Sequence, residues 1–458
     1  MVAQGWWFFR EMAGACLVPS VVQGVQATWC LLLLCLLVRL VCLLRVPEWS
    51  KHTCSLVAGF YILSHFFALN IIWVVLLSLK CYVVLFLCRH QRHRGIFLSI
   101  TTLIYLLIGE MHMVDALNWH RMRGAQMLVV MKAVSLAFDI DSGRLERLPS
   151  PVQFMGYIYF IGTVVFGPWI SFEQYLQTLN GKKMELRWIK KVVLSLLNSM
   201  GCLVVSTCVA PYIFPFVIPV YTKRLLNRKG EKRKRIRSLL PRWLNAYQTA
   251  LSFHFSNYFV GFLAECSCTL AGGGYSDYKD HVQWDLAVSK PMNIELPRSM
   301  VDVVSSWNIP MSSWLNRYVF KNSLQLGKLP AILLTYGASA LLHGLSFHLG
   351  AVLLSLGLVT YTEHVLRRKI ATVLNACVLS RKCTQCEHQH KSEVWVMLIN
   401  LSFTFLAIFH LAYLGALFDG DGDEEEGYGM RHTIDKWTEL GWAGHWLTLT
   451  CWLIHKLL

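Results

Sequence analysis

Charge is what this chain has least of. Asp, Glu, Lys and Arg make up only 15% of its 458 residues, against about 25% in soluble domains, and acids are scarcer than bases, 27 to 43. With 55% hydrophobic residues and a mean hydropathy of +0.44, that shortage excludes an ordinary soluble protein and points to the membrane. No small-residue cleavage site follows an early apolar core, so Trp6, Trp7, Phe8 and Phe9 read as an interfacial anchor, not a leader. No internal repeat or low-complexity tract divides residues 1–458, which reads as one integral-membrane domain. The tetrapeptide Asp-His-His-Cys of membrane S-acyltransferases is missing. Asp419-Gly-Asp421-Gly-Asp423 starts like a calcium loop, but Glu424 stands where glycine is needed and Met430 where the last carboxylate belongs. The stretch 419–430 is therefore a solvated acidic loop. Most of the 15 cysteines lie inside apolar runs (Cys30, Cys35, Cys42, Cys81, Cys202, Cys208), where they act as small hydrophobes, and no disulfide framework is inferred.

What the chain does have is long apolar runs, beginning with Ala27–Leu44, which only Arg39 interrupts. Others follow at 54–69, 71–88, 96–108, 125–138, 152–172, 192–209, 247–270, 394–418 and 442–457. Together they predict an all-α polytopic membrane protein with about ten or eleven transmembrane or re-entrant helices. The run Leu329–Tyr361 is too long for one span and is expected to break at Gly344 or Gly350. Two basic loops, 223–242 and 367–391, read as cytosolic. Three elements between them would put them on opposite sides, so the segment from Trp307 to Leu326 is expected to be re-entrant or interfacial.

The segment 305–348 organises the rest. His343 lies roughly 20 Å beyond Leu329 along a helix, deep in a hydrocarbon core about 30 Å thick. An ionisable side chain at that depth faces a protein interior or a water-filled cavity. Tyr336, Ser339 and His343 fall at i, i+3 and i+7, on one helix face. The chemistry alone leaves a buried structural histidine and a catalytic one about equally placed. As a base, an imidazole near its ordinary pKa can take a proton from an alcohol attacking a thioester, with an amide such as Asn308 assisting and no metal required.

Other features invite competing readings. Glu110, His112, Asp115 and His120 are a possible metal set, although without HExxH spacing. Lys132 could pair with one of those carboxylates. Cys383 and Cys386, with His388 and His390, mimic a zinc cluster, but palmitoylation near the membrane suits them better. Asn400-Leu401-Ser402 is a glycosylation sequon inside an apolar span and is discounted. A transporter using Arg39, Lys132 and His343, or an intramembrane metalloenzyme using His112, Asp115 and His120, stays open on these residues.

Trp307-Asn308-Ile309-Pro310 with Trp314, followed 35 positions later by His343, resembles the asparagine–histidine signature of the membrane-bound O-acyltransferases. The blocks 109–115, 166–172, 252–262 and 339–344 resemble the branch of that family that acylates Wnt proteins. The resemblance implies transfer of palmitoleate from palmitoleoyl-CoA, as co-substrate, to a Wnt serine in the endoplasmic reticulum membrane, giving an oxyester and enabling Wnt secretion. It implies His343 as base and Asn308 as its partner. No cofactor, metal or nucleic acid enters this reading, and membrane lipids are the surrounding partner. Trp307, Trp314, Tyr336 and Ser339 are the expected substrate-binding residues.

Overall fold

The computed structural model describes residues 10, 12–113, 116–211, 233–278, 281–344, 346–382, 387–418 and 429–458, without the side chains of 112, 113, 116–118, 120, 233–240 and 278. Apolar residues repeating without charge cannot leave their backbone groups unpaired in lipid, and they fold as helices. These are α1 (Val18–Leu43), α2 (Glu48–Phe67), α3 (Ile71–Leu87), α4 (Arg94–Ile108), α5 (Ala116–Asp141), α6 (Pro151–Ile158), α7 (Phe172–Leu179), α8 (Leu186–Val204) and α9 (Arg233–Leu270). After a small hairpin, β1 (Ser276–Tyr278) and β2 (His281–Gln283), come α10 (Met292–Glu295), α11 (Met300–Trp307), α12 (Ile309–Leu315), α13 (Lys328–His343), α14 (Phe347–Val373), α15 (Val394–Gly415), α16 (Met430–Glu439) and α17 (Ala443–Leu457).

The all-α polytopic class holds. Among the described residues six helical stretches are long and apolar enough to cross a membrane. α13, with 16 residues, and α17, with 15, are shorter than the roughly 20 needed, and α5 carries Arg121, Arg123, Lys132 and Asp139 along its length. The segment expected to be re-entrant is a string of short pieces: α12, a wide turn at Asn316–Phe320, Lys321–Ser323 and a tight turn at Leu324–Leu326.

Two expectations about buried groups are corrected. Cys208 is joined to Cys16 in a disulfide, because the ends of α1 and α8 pack side by side and bring together residues 192 apart in sequence. Lys132 is fully buried but has no carboxylate partner among the described residues. Its ammonium donates to the Tyr157 and Ile158 carbonyls at 2.9 and 3.0 Å, at the end of α6, where the last turn leaves carbonyl oxygens for acceptance from outside the helix.

The long run from Leu329 breaks at Gly344, between α13 and α14. Its φ of +116° lies where residues with a side chain rarely go, and a Cβ there would sit 2.8 Å from the Arg123 guanidinium. α11 is fixed at its start by α14. The backbone N–H of Met300 donates to the Glu363 carboxylate at 2.9 Å, and Arg367 pairs with the same carboxylate at 3.5 Å. Arg367 also donates to the Arg298 carbonyl and to Asn400 Oδ1 at 2.7 Å, so the sequon asparagine is engaged inside the fold. Both charges are almost wholly buried.

Removing one member of such a pair strands the other in a medium that cannot solvate it. Glu363→Ala is expected to cost about 3 kcal/mol or more, while Glu363→Gln, which keeps an acceptor for Met300, costs less. Thermal unfolding of the solubilised protein checks this ordering, and an unchanged melting temperature for Glu363→Ala would contradict it.

Candidate active site

α11 ends and α12 begins at a single residue, Asn308, whose φ of −142° and ψ of +91° turn the chain between them. Asparagine suits this corner because its side-chain oxygen can cap a helix: Oδ1 accepts the Met311 N–H at 3.1 Å. Pro310, in the first turn, has no N–H to satisfy. The remaining backbone donor, Ile309 N–H, reaches the Val288 carbonyl at 2.8 Å. Val288 is in turn held by its own N–H on Glu265 at 3.2 Å, and Ser195 donates to the same carboxylate at 2.8 Å. With Oδ1 occupied by the cap, the amide Nδ2–H₂ of Asn308 is what the corner leaves for a ligand.

α13 brings Thr335, Tyr336, Ser339 and His343 to the other side of the same space. They line a cavity of about 270 Å³ together with Trp307, Asn308, Asn316 and Phe320. A second cavity, about 340 Å³, lies beyond Trp307 and is lined by His254, Asn257, Leu349, Leu414 and Phe418. His343, Trp307, Val304, Leu353 and Leu356 belong to both walls. No described residue hydrogen-bonds the His343 imidazole. The Trp307 ring is fixed between Phe253, stacked at 5.9 Å, and His254, edge-on at 5.2 Å.

These spaces follow one another along α14. A third opening, containing Arg381 and Thr360, shares Val304, Ser312 and Asn316 with the first cavity. The second cavity reaches back to Leu349, about 16 Å from Thr360 along the helix. The three spaces therefore adjoin one another, the Arg381 opening meeting the cavity of Asn308 and that cavity meeting the second one at His343.

The structure thus gathers Trp307, Asn308, Tyr336, Ser339 and His343 around one cavity, but not Trp314. That indole donates to the Met131 carbonyl at 2.9 Å and packs on Tyr318 at 5.7 Å, holding α12 against α5. A tryptophan two turns after Trp307 in sequence takes a different direction because the corner at Asn308 reorients the helix. Arg39 and Lys132 do not reach the His343 cavities. Arg39 donates to the Lys182 carbonyl. Among the described residues no three His, Cys, Asp or Glu side chains gather as metal ligands, and Glu110 pairs with Arg123. Asp115, the side chains of His112 and His120, Cys383 and Cys386 lie outside the described residues, as do 419–428, residues 223–232 of the basic run and the side chains of 233–240. His390 pairs with Glu393 at 2.5 Å. His254 and Asn257 carried no role in the sequence, and only their place in the block 252–262 set them apart.

Comparison with known proteins bears on the same residues. A family model described as MBOAT, membrane-bound O-acyltransferase family, matches residues 25–373. The chain is 58% identical over 455 residues to the human protein-serine O-palmitoleoyltransferase porcupine, covering 98% of each chain. It is 32% identical to the Drosophila melanogaster protein of the same name, covering 97% of this chain and 86% of that one. Lysophospholipid acyltransferase 1 of Arabidopsis thaliana is 24% identical, covering 64% and 69%.

The cap predicts a separation of roles at Asn308. Asn308→Ala removes the acceptor for Met311 N–H and is expected to lower stability by about 1 kcal/mol, whereas Asn308→Asp keeps it. Chemical or thermal unfolding of both variants tests this, and equal losses would show that the cap does not hold the corner.

Proposed function

The chain belongs to the membrane-bound O-acyltransferase family, and from that premise we propose how it moves an acyl group across the cavity pair. It is an O-acyltransferase, and its reaction is that of its protein-serine O-palmitoleoyltransferase relatives. The observation that carries the mechanism is the shared wall: one imidazole, His343, lines both cavities, so a donor in one and an acceptor in the other meet at the same nitrogen.

Palmitoleoyl-CoA enters from the face marked by Arg381, and its thioester comes to rest beside Asn308. The acceptor, a serine of a Wnt protein, approaches through the second cavity. His343 takes the serine proton as the hydroxyl oxygen attacks the thioester carbonyl, and the Asn308 amide N–H donates to the oxyanion that develops. Collapse of the tetrahedral adduct forms the ester and breaks the carbon–sulfur bond. The proton on His343 passes to the departing thiolate, leaving the imidazole neutral for the next cycle. Tyr336 and Ser339, on the same face of α13, flank the donor, and the fixed Trp307 ring turns the acyl chain at the junction, as a cis double bond requires. The endoplasmic reticulum membrane is the setting that supplies a cytosolic thioester and a secreted acceptor on opposite faces.

Purified enzyme incubated with labelled acyl-CoAs and a Wnt-derived serine peptide tests this. The wild type is expected to give a peptide ester that resists neutral hydroxylamine but is cleaved by alkali, as an oxyester is, and His343→Ala to lose transfer by about 10²–10⁴-fold or more while still binding acyl-CoA. Turnover near the wild-type rate in that variant would return His343 to a structural role.

A further inference from the structure

The second cavity holds another imidazole, and its surroundings fix its chemistry. His254, on α9, is 5% exposed and lines this cavity together with His343. Its Nδ1 lies 3.0 Å from Glu295 Oε1, the last residue of α10, and Tyr258, one turn further along α9, donates to that same oxygen at 2.7 Å. In the neutral ring, a carboxylate in this position accepts the Nδ1–H and so selects the tautomer whose Nε2 is a lone-pair acceptor. Nε2 points towards Gly415, where a Cβ would sit 3.7 Å away, and no described residue donates to it. The glycine lets α15 pack closely on α9 at Ala250, where a Cβ would come within 2.5 Å, and Gly415 lines the cavity beside the ring.

A carboxylate, a phenol and an imidazole are a costly group to place in an otherwise apolar wall built from Leu349, Val352, Leu411 and Leu414. A pure packing role against Trp307 needs only a ring, which phenylalanine supplies. An acyl chain has no donor to offer Nε2. The thioester side, with Asn308 and Ser339, belongs to the other cavity. What enters the second cavity with hydrogen-bond donors is a polypeptide, whose backbone carries one N–H per residue.

We propose that His254, oriented by Glu295, is an acceptor-positioning residue: Nε2 receives a backbone N–H of the protein acceptor next to the reactive serine and so aims the hydroxyl at His343. The inference rests on the reading of the second cavity as the acceptor's entrance. His254 itself moves no proton in the reaction. Glu295 acts only through His254.

Steady-state kinetics of the full-length enzyme with palmitoleoyl-CoA and a serine peptide test it. His254→Phe keeps a ring against Trp307 and removes the acceptor, and loss of one hydrogen bond is expected to raise the KM for peptide about five- to tenfold. The KM for palmitoleoyl-CoA and the palmitoleoyl-to-palmitoyl product ratio should stay at wild-type values. His254→Gln, whose amide oxygen can stand near Nε2, should recover part of the peptide KM, and Glu295→Gln should shift it in the same direction as His254→Phe but less. A changed acyl ratio with an unchanged peptide KM would overturn the proposal and make His254 part of the acyl wall. Equal losses for His254→Phe and His254→Gln, tracking their melting temperatures, would overturn it in favour of a structural role. Failure of the wild-type enzyme to acylate the peptide would instead strike the function from which the inference starts.

Discussion

A helix broken inside a membrane exposes amides and carbonyls that hydrocarbon cannot satisfy, and this chain breaks twice at its site. At the first break Asn308 caps α12 through Oδ1, Pro310 has no N–H to satisfy, and Val288 takes the N–H of Ile309. At the second, Gly344 N–H turns back to Leu341, while Ser346 receives Leu349 N–H on its hydroxyl and Gly350 N–H on its carbonyl. Those solutions fix where Asn308 and His343 stand. The bonds from Met300 and Arg367 to Glu363 fix α11 to α14, and α14 carries the opposite wall of both cavities. The polar groups of the site are thus held mainly by backbone accounting, which packing of apolar side chains alone would not provide.

That accounting explains the division of labour around His343. Asn308 is committed by its oxygen and free by its nitrogen, which suits an oxyanion donor and not a base. His343 lies at the end of α13, beside the break, where its ring lines both cavities instead of a helix–helix contact. Trp307, one residue before the corner, is pinned by Phe253, His254 and Tyr258 and divides the two spaces. A rigid divider beside the reacting atoms is a physical basis for discriminating a bent chain from a straight one, because close-packed walls do not yield to fit either shape.

Much of this was legible in the sequence, because it depends on periodicity and punctuation. The apolar runs mark the helices, the excess length after Leu329 demands a break, and Gly344 is where it falls. The i, i+3, i+7 spacing puts Tyr336, Ser339 and His343 on one face, and all three line one cavity. What depends on long-range contact was not legible. Nothing near Cys208 says that Cys16 is its neighbour, and Lys132, which could have paired with a carboxylate, donates to carbonyls. Trp314 looks like a companion of Trp307 until the corner at Asn308 turns it towards Met131. His254 needs the meeting of α9, α10 and α15 before its two nitrogens acquire different surroundings.

The central claim is that donor and acceptor reach His343 from opposite faces. Enzyme reconstituted into sealed vesicles, with the serine peptide trapped inside and palmitoleoyl-CoA added outside, tests it directly, whatever the orientation of individual molecules. Two-sided access predicts acylated peptide inside these vesicles and little or none when peptide and palmitoleoyl-CoA are both present only outside. Equal or greater product with both reactants on one face would contradict it.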